Sequence, residues 1–357
     1  MKVMFSGGGT LGPVTPLLGL AEIIVQKYPD TEFVWVGTKN GPEKELVAEY
    51  HIRFITISSG KLRRYFSFLN ILDWFKIKLA FWQSLFLLLK EKPDILISAG
   101  GYISVPLHIA GWFHSIPSWI HQQDVQVGLA NKIMAPFAKV ITTALEENVQ
   151  NFKKSKTLWL GNPVRQDIYE GSKEKAQEIF RLKKDLPVVF ATGGGTGSSK
   201  VNQLIVEASQ HLENYAQIIH LTGKERLDSL AKHAEKIINN YQAYKFFTTE
   251  MKHAYAIADV VVSRGGFGTI TELSALGKAS ILIPLPGHQE ENVEFLGKAG
   301  AVIVMKQNLT DSYKLAKTIQ ELLTHKEIRE TMGNNLKRIL PIAKKETVWQ
   351  ILEKVLK

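Results

Sequence analysis

Short runs of consecutive apolar residues alternate along this chain with longer stretches in which apolar residues recur every three or four positions. Met1–Ser6, Glu32–Gly37, Phe54–Ser58, Asp94–Ser98, Ser118–His121 and Val140–Thr143 are runs of the first kind and predict strands. Pro16–Tyr28 and Pro42–Tyr50 are of the second kind and predict helices. The scheme then repeats. Pro187–Thr192, Ala216–Leu221, Tyr244–Phe247, Asp259–Ser263 and Ser280–Pro284 read as strands, and Lys200–Leu212, Lys224–Ile238, Met251–Ala256 and Thr269–Leu276 as helices. Alternating strands and helices specify parallel sheets with helices on both faces. A break at Gly161-Asn162-Pro163 divides the chain into two α/β domains, 1–162 and 163–340. Beyond Pro341, residues 341–357 carry a short amphipathic helix, Thr347–Lys357, able to pack on either domain, including back on the N-terminal one.

Leu62–Lys92 breaks this pattern. It is aromatic and aliphatic, interrupted by Asp73, Lys76 and Lys78, and basic at both ends through Arg63, Arg64, Lys90 and Lys92. The internal charges make it a poor membrane span. Two readings stand: a buried helix, or a surface that rests on an anionic membrane.

Three strands run into glycine-rich loops. Gly7-Gly8-Gly9-Thr10-Leu11-Gly12 follows the first strand, and Gly193-Gly194-Gly195-Thr196-Gly197-Ser198 opens the second half. Such a strand–loop–helix unit offers backbone N–H groups to a phosphate. Gly7, Gly9 and Gly12 have the G-x-G-x-x-G spacing, but the second strand ends in Gly37-Thr38-Lys39, with no acid to hold a dinucleotide's ribose. The third loop, Arg264-Gly265-Gly266-Phe267-Gly268, leads to Thr269 and Glu272. Those two residues have the spacing of a capping box. Glu272 alternatively lies one turn inside a diphosphate-binding helix, placed to take both hydroxyls of a ribose. The later cluster His288-Gln289-Glu290-Glu291-Asn292 suits hydrogen bonding to a sugar, or simply caps a helix starting near Glu291.

Composition narrows the field. The 357 residues include no cysteine, which excludes disulfides, thiolate metal sites and a cysteine nucleophile. Lys and Arg number 44 against 34 Asp and Glu, a net charge of +10 that favours an anionic substrate or surface. Neither zinc-ligand spacing nor an RNA-binding aromatic motif is present, so nucleic acid is not expected. The first residues enter a strand without a leader, which points to the cytoplasm.

The motifs SGGGTLGPVTP, SAGGY (Ser98–Tyr102), HQQD (His121–Asp124), GLANK (Gly128–Lys132), GNPVR (Gly161–Arg165), GGGTGSSKVNQ and ADVVVSRGGFGTITE followed by HQEEN occur in this order from Gly7 to about Val302. Together they resemble the MurG-like family 28 glycosyltransferases, which form lipid II. The resemblance implies a GT-B fold, two Rossmann-like domains with parallel sheets facing across a deep cleft. It implies transfer of GlcNAc from UDP-GlcNAc to the 4-hydroxyl of the muramoyl sugar of lipid I (the undecaprenyl-diphosphate-linked muramoyl peptide), with inversion and without metal or cofactor. It also implies peripheral attachment at the cytoplasmic face of the cell membrane, through 62–92.

Carried over residue by residue, Glu272 matches the ribose-binding glutamate. Gln289 matches the second of two glutamines that contact GlcNAc, His288 stands at the first, and Asn292 matches the asparagine that follows. Arg165 matches the arginine of GNPVR, in reach of the donor diphosphate. Thr10 matches a loop threonine facing the donor, and Asn131 the asparagine of GLANK. Gly12, Gly195, Thr196, Gly265, Gly266 and Thr269 belong to donor-side loops, and backbone around Thr248 would read uracil. Gly9, Gly100, Gly101, Tyr102 and Gln122 fall in acceptor-side loops. The chain departs from the family at Leu11 and Pro13, where glycine and histidine are usual, at Gln122 for glutamate, and at Gly195 for serine. Proline and glutamine take no proton, so Asp124, or His121 through water, becomes the candidate base; His121 equally reads as a buried structural histidine. Because the departures cluster on the acceptor side, a different lipid-linked acceptor or an inactive UDP-sugar-binding protein are the rivals. An epimerase is disfavoured by the SAGGY and GLANK loops.

Overall fold

The computed structural model describes residues 1–58, 60, 69–194, 197–223, 229–247 and 249–357, the side chains of 69–74 and His288 excepted. Gly195, Thr196, Thr248 and the 62–68 part of the basic-aromatic segment lie outside the described residues.

The chain forms two compact units, Met1–Arg165 with Pro341–Lys357, and Gln166–Leu340. The first is built from β1 (Lys2–Ser6), α1 (Thr15–Lys27), β2 (Glu32–Gly37), α2 (Glu43–Glu49), β3 (Arg53–Thr56), α3 (Leu69–Glu91), β4 (Ile95–Ser98), α4 (Ser104–Phe113), β5 (Ser118–Gln122), α5 (Leu129–Met134), β6 (Val140–Thr143) and β7 (Thr157–Trp159). All neighbours in its seven-stranded sheet are parallel, in the order β3-β2-β1-β4-β5-β6-β7. Successive residues of each inner strand enter opposite cores. Val3, Phe5, Trp35, Ile95 and Ile97 pack with α1, while Met4, Val34, Val36 and Leu96 pack towards α3 and α4. A strand buried on both faces is apolar throughout, which is why these runs stand out in the sequence. The expected series ended at β6; the structure adds β7, an edge strand whose Leu158 and Trp159 are exposed.

The second unit contains α6 (Lys173–Ile179), β8 (Val188–Thr192), α7 (Ser199–Gln210), β9 (Gln217–Leu221), α8 (Ser229–Ile237), β10 (Tyr241–Tyr244), α9 (Met251–Ile257), β11 (Val260–Ser263), α10 (Phe267–Leu276), β12 (Ser280–Leu282), α11 (His288–Lys298), β13 (Ile303–Val304), α12 (Ser312–Thr324) and α13 (Lys326–Ile339). Its sheet is again parallel, in the order β10-β9-β8-β11-β12-β13. The strand expected at Tyr244–Phe247 lies three residues earlier. Asn240 turns the chain at φ +62°, and Tyr241 opens the pairing against Ile218. Phe247 is buried from a loop instead, stacked on Phe190 with ring centroids 6.2 Å apart.

The final helix, α14 (Lys345–Leu356), belongs to the first unit. Val348, Ile351, Leu352 and Val355 join the core beside α1, and Trp349 Nε1 donates to the Ile23 carbonyl at 2.8 Å. Where the chain returns, the N–H of Asn162 donates to the Pro341 carbonyl at 2.8 Å, and that of Ala343 to the Asn162 carbonyl at 3.1 Å. Gly161 takes φ +81° there, and a Cβ on it would stand 2.3 Å from the Pro341 carbonyl oxygen.

Helix α3 has one buried and one exposed face. Ala80, Ser84 and Leu88 are buried, whereas Phe75, Leu79, Trp82, Phe86 and Leu89 are exposed, Phe86 to 69%. Trp112 and Phe113 at the end of α4 extend the exposed set, with Phe113 edge-on to Phe81 at 5.8 Å. Among the described residues no helix is long and apolar enough to cross a membrane.

Three histidines sit wholly inside the fold. Burial pushes His108 and His220 down to about 3 and His121 to about 4, from an ordinary 6.5. Below pH 6.5 the unfolded chain takes up protons that the folded chain refuses, so stability falls as pH drops towards 4. The loss is on the order of 3 kcal/mol per histidine by pH 4. Denaturant titrations followed by near-UV circular dichroism should show the midpoint falling steeply between pH 6 and 4; a flat profile would contradict the burial.

Candidate functional site

In doubly wound sheets, ligands bind beyond the carboxyl ends of the strands where the strand order reverses. That point lies between β1 and β4 in the first unit and between β8 and β11 in the second. The loops after these four strands are those carrying Gly7–Gly12, Gly100–Tyr102, Gly193–Ser198 and Arg264–Gly266.

In the first unit the glycine loops are fixed by close approach. Gly9 has φ +84°, and a Cβ on it would stand 2.7 Å from the Tyr102 ring. Gly101 has φ +93°, with its Cβ position 3.3 Å from the Gly8 backbone. Beneath the loop lies Glu43, wholly buried. Its carboxylate accepts from the N–H groups of Gly9 (3.1 Å) and Thr38 (2.7 Å) and from the Thr38 hydroxyl (2.5 Å). The N–H of Gly9 is therefore not open to a phosphate, contrary to the expectation for this loop. Thr10 is exposed, and Gly12 lies beside Gln123. Helix α1 begins without a side-chain cap, with Pro16 in its first turn.

The HQQD segment closes β5. His121 is not an accessible base: it is fully buried, with Nδ1 2.9 Å from Thr142 Oγ1 and Nε2 2.7 Å from Asn162 Oδ1. Both ring nitrogens are engaged in holding strands, so water does not reach either. Gln122 donates to the carbonyls of Asp124 (2.8 Å) and Gln126 (3.2 Å) and accepts from Asn131 Nδ2 (2.7 Å). Asp124 is half-buried in the bend that follows, its carbonyl also accepting from Asn148 Nδ2 at 2.8 Å. Asn131 on α5 faces Gly100, whose Cβ position is 3.5 Å from Asn131 Oδ1. Arg165 is half-buried beyond β7.

In the second unit, helix α10 begins at Phe267 with Gly266 as its uncapped N-terminal residue. The expected Thr269–Glu272 capping box is therefore absent: Thr269 is already in the first turn and Glu272 in the second. Gly266 in extended backbone (φ −72°, ψ 132°) starts the helix earlier than the threonine spacing suggested. Gly265 is buried where a Cβ would meet Val293 at 2.4 Å, which draws the loop against α11. Helix α11 starts at His288, not near Glu291, because Gly287 turns the chain at φ +96° and Glu290 accepts from the Gly287 N–H at 3.0 Å. This puts His288 and Gln289 in the first turn and Asn292, buried, in the second. Gln289 Oε1 accepts from the Leu285 N–H at 2.9 Å.

Arg264 was not singled out in the sequence. It is buried, donating to the carbonyls of Ile283 (3.1 Å) and Pro284 (3.2 Å), to Ser198 Oγ and to Gln307 Oε1 (2.7 Å). No carboxylate among the described residues pairs with it, and its Nε has no partner. Burial lowers its pKa from the usual 12.5. The guanidinium ties the loop after β11 to Ser198, Gln307 and the carbonyls after β12, and places a buried positive charge beside the loop after β8. Its signal in the sequence was a lone arginine ahead of two glycines. Glu43 was likewise not singled out in the sequence.

Two doubly wound parallel units in tandem, with glycine loops at each switch point, are the architecture of GT-B glycosyltransferases. Among solved structures, MurG of Acinetobacter baumannii superposes with a TM-score of 0.76 over 99% of each chain, at 22% identity. The UDP-GlcNAc 2-epimerase of Neisseria meningitidis, solved with UDP-GlcNAc, superposes at 0.70 over 99% of this chain and 100% of its own, at 14% identity. Fold alone thus leaves transferase and epimerase unseparated. The chain belongs to glycosyltransferase family 28: its N-terminal domain matches over residues 3–143 and its C-terminal domain over 188–347. A Clostridium perfringens relative is 36% identical over 355 residues, 96% of this chain and 98% of its own. Its name is UDP-N-acetylglucosamine–N-acetylmuramyl-(pentapeptide) pyrophosphoryl-undecaprenol N-acetylglucosamine transferase. A Bacillus thuringiensis transferase of the same name, numbered 2, is 35% identical over 92% of this chain and 94% of its own.

Proposed function

We propose that this glycosyltransferase moves GlcNAc from UDP-GlcNAc to the 4-hydroxyl of the muramoyl sugar of lipid I, forming lipid II for peptidoglycan, by one inverting displacement without a metal. The observation that carries the donor side is the pairing of Arg264 with the uncapped start of α10, one turn ahead of Glu272. The cation and the helix N-terminus suit a diphosphate, and the carboxylate suits a ribose diol. Arg165 supplies further positive charge. Gln289, with His288 and Asn292 on α11, takes the hydroxyls of the donor sugar. As the acceptor oxygen attacks the anomeric carbon, the bond to UDP breaks and Arg264 and the helix terminus stabilise the departing charge. Asp124 takes the acceptor proton. The names of the relatives, matched over nearly whole chains, support this donor and acceptor. Leu11, Pro13 and Gln122 favour a second reading, transfer to another lipid-linked acceptor.

The test is UDP release from UDP-GlcNAc with a soluble lipid I analogue. Turnover that requires the muramoyl acceptor supports the proposal. Turnover with a different lipid-linked sugar alone supports the second reading, and binding of UDP-GlcNAc without turnover on any acceptor overturns both.

We place the protein at the cytoplasmic face of the membrane, held by the exposed aromatic face of α3 and α4. Lys76, Lys78, Lys90 and Lys92 are exposed on or beside that face. Phe137 stacks edge-on against Trp112 at 5.6 Å, and the adjacent Pro136 lines a cavity of about 440 Å³ with Lys132, Lys153 and Lys156. Changing Trp82, Phe86 and Trp112 to serine should lower binding to anionic vesicles by at least ~10-fold while leaving the melting temperature unchanged. Unchanged binding would remove this face from the interaction.

A further inference from the structure

Three consecutive glycines, Gly7-Gly8-Gly9, leave the start of the loop after β1 with no side chain of its own to hold its shape. The hold comes from outside. On one side stands the loop after β4, with the Cβ position of Gly101 3.3 Å from the Gly8 backbone and that of Gly9 2.7 Å from the Tyr102 ring. On the other stands Glu43, 0% exposed, in the first turn of α2. Its Oε2 accepts from the N–H of Gly9 at 3.1 Å. Its Oε1 accepts from the N–H of Thr38 at 2.7 Å and from the Thr38 hydroxyl at 2.5 Å. A Cβ on Gly8 or on Gly41 would overlap this carboxylate, so glycine at both positions makes the room it occupies.

One buried side chain thus joins the loop after β1 to the end of β2, and it grips the residue just before Thr10. Thr10 is exposed, and Leu11 and Gly12 are half-buried. The Gly9 contact fixes the plane of the Gly8–Gly9 peptide, and with it the path of the three residues that follow. A peptide between two glycines has little else to stop it turning over once its N–H loses its acceptor. Glu43 is enclosed, so it meets no ligand and acts through the backbone it holds.

We propose that Glu43 is a positioning residue for the transfer, holding the Gly7–Gly12 backbone in the shape that seats the acceptor. The proposal rests on the acceptor reading above.

The experiment compares the unaltered full chain with Glu43→Gln and Thr38→Val, using UDP-GlcNAc and the soluble lipid I analogue. Glutamine keeps the shape of the side chain but has one accepting end. The two shorter contacts from Thr38 hold that oxygen, which turns the NH2 group against the Gly9 N–H. Valine at 38 removes one donor from the same carboxylate and leaves the Gly9 contact in place. Both variants should lower Tm. Only Glu43→Gln should lower kcat/KM for the acceptor, by roughly 10- to 100-fold, with the affinity for UDP within about 2-fold. Only Glu43→Gln should speed hydrogen exchange at the Gly9 N–H, by about 10-fold or more. Glu43→Asp, one methylene shorter, is read in the same way if the glutamine variant does not fold. An equal kinetic loss in Thr38→Val overturns the proposal, because it would show a merely structural carboxylate. So does unchanged acceptor kinetics in the Glu43 variant, a matching loss of UDP affinity, or a Gly9 N–H that stays protected. Absence of turnover by the unaltered protein fails the acceptor reading instead, and exchange at Gly9 still tests the anchor.

Discussion

Glu272→Ala raises KM for UDP-GlcNAc by about 100-fold or more and leaves kcat within a small factor. Each hydrogen bond from a ribose hydroxyl to a carboxylate contributes about 1.5–3 kcal/mol, and both are lost together. The contact is the same in ground and transition states, so the loss falls on KM. The fold does not depend on this carboxylate for a helix cap, since α10 starts at Phe267 and Glu272 lies in its second turn. Alanine is the better helix former there. A donor with 2′-deoxyuridine provides the check. The unaltered protein should use it poorly, whereas Glu272→Ala should use it as well as the full ribonucleotide. If the variant still distinguishes the two donors, the ribose is read by another group.

The parts of this molecule that were legible in its sequence share a physical cause. Strands such as Val3–Phe5 and Ile95–Ile97 are buried on both faces, so every position is apolar and the run declares itself. β7 and β13 are short edge elements that were not expected from the sequence, although Thr157–Leu160 and Ala301–Met305 are apolar runs. The glycine loops were legible because close backbone approach tolerates no Cβ, as at Gly9 against Tyr102 and Gly265 against Val293. What the sequence could not give was the partner of each polar side chain. His121 read equally as a base or as a buried histidine, and it is enclosed between Thr142 and Asn162. Glu43 was not singled out in the sequence and is the anchor of the first glycine loop. Arg264 was not singled out and is a buried cation that no carboxylate among the described residues pairs with. Each of these depends on residues tens of positions away. The start of α10 shows the same limit locally: Thr269 and Glu272 satisfied a capping pattern, but Gly266, free to adopt the extended cap conformation, began the helix first.

Asp124→Asn lowers kcat by roughly 100-fold or more, with KM for UDP-GlcNAc and affinity for UDP unchanged. The argument is by position and by elimination among the groups near β5. Pro13 and Gln122 take no proton. The amide of Gln122 is moreover committed on both ends, to the carbonyls of Asp124 and Gln126 and to Asn131. His121 is buried, with its pKa pushed down to about 4 by desolvation and its nitrogens engaged. Asp124 follows directly, half-buried in a bend fixed by the Gln122 and Asn148 amides on its carbonyl. An aspartate base is active when ionised, so kcat should fall as pH drops through its pKa. Asparagine at 124 keeps the shape of the side chain and one accepting oxygen but takes no proton, so the residual rate should lose that acid limb. A variant that retains full turnover, or loses turnover while keeping the acid limb of its pH profile, takes Asp124 out of the proton transfer.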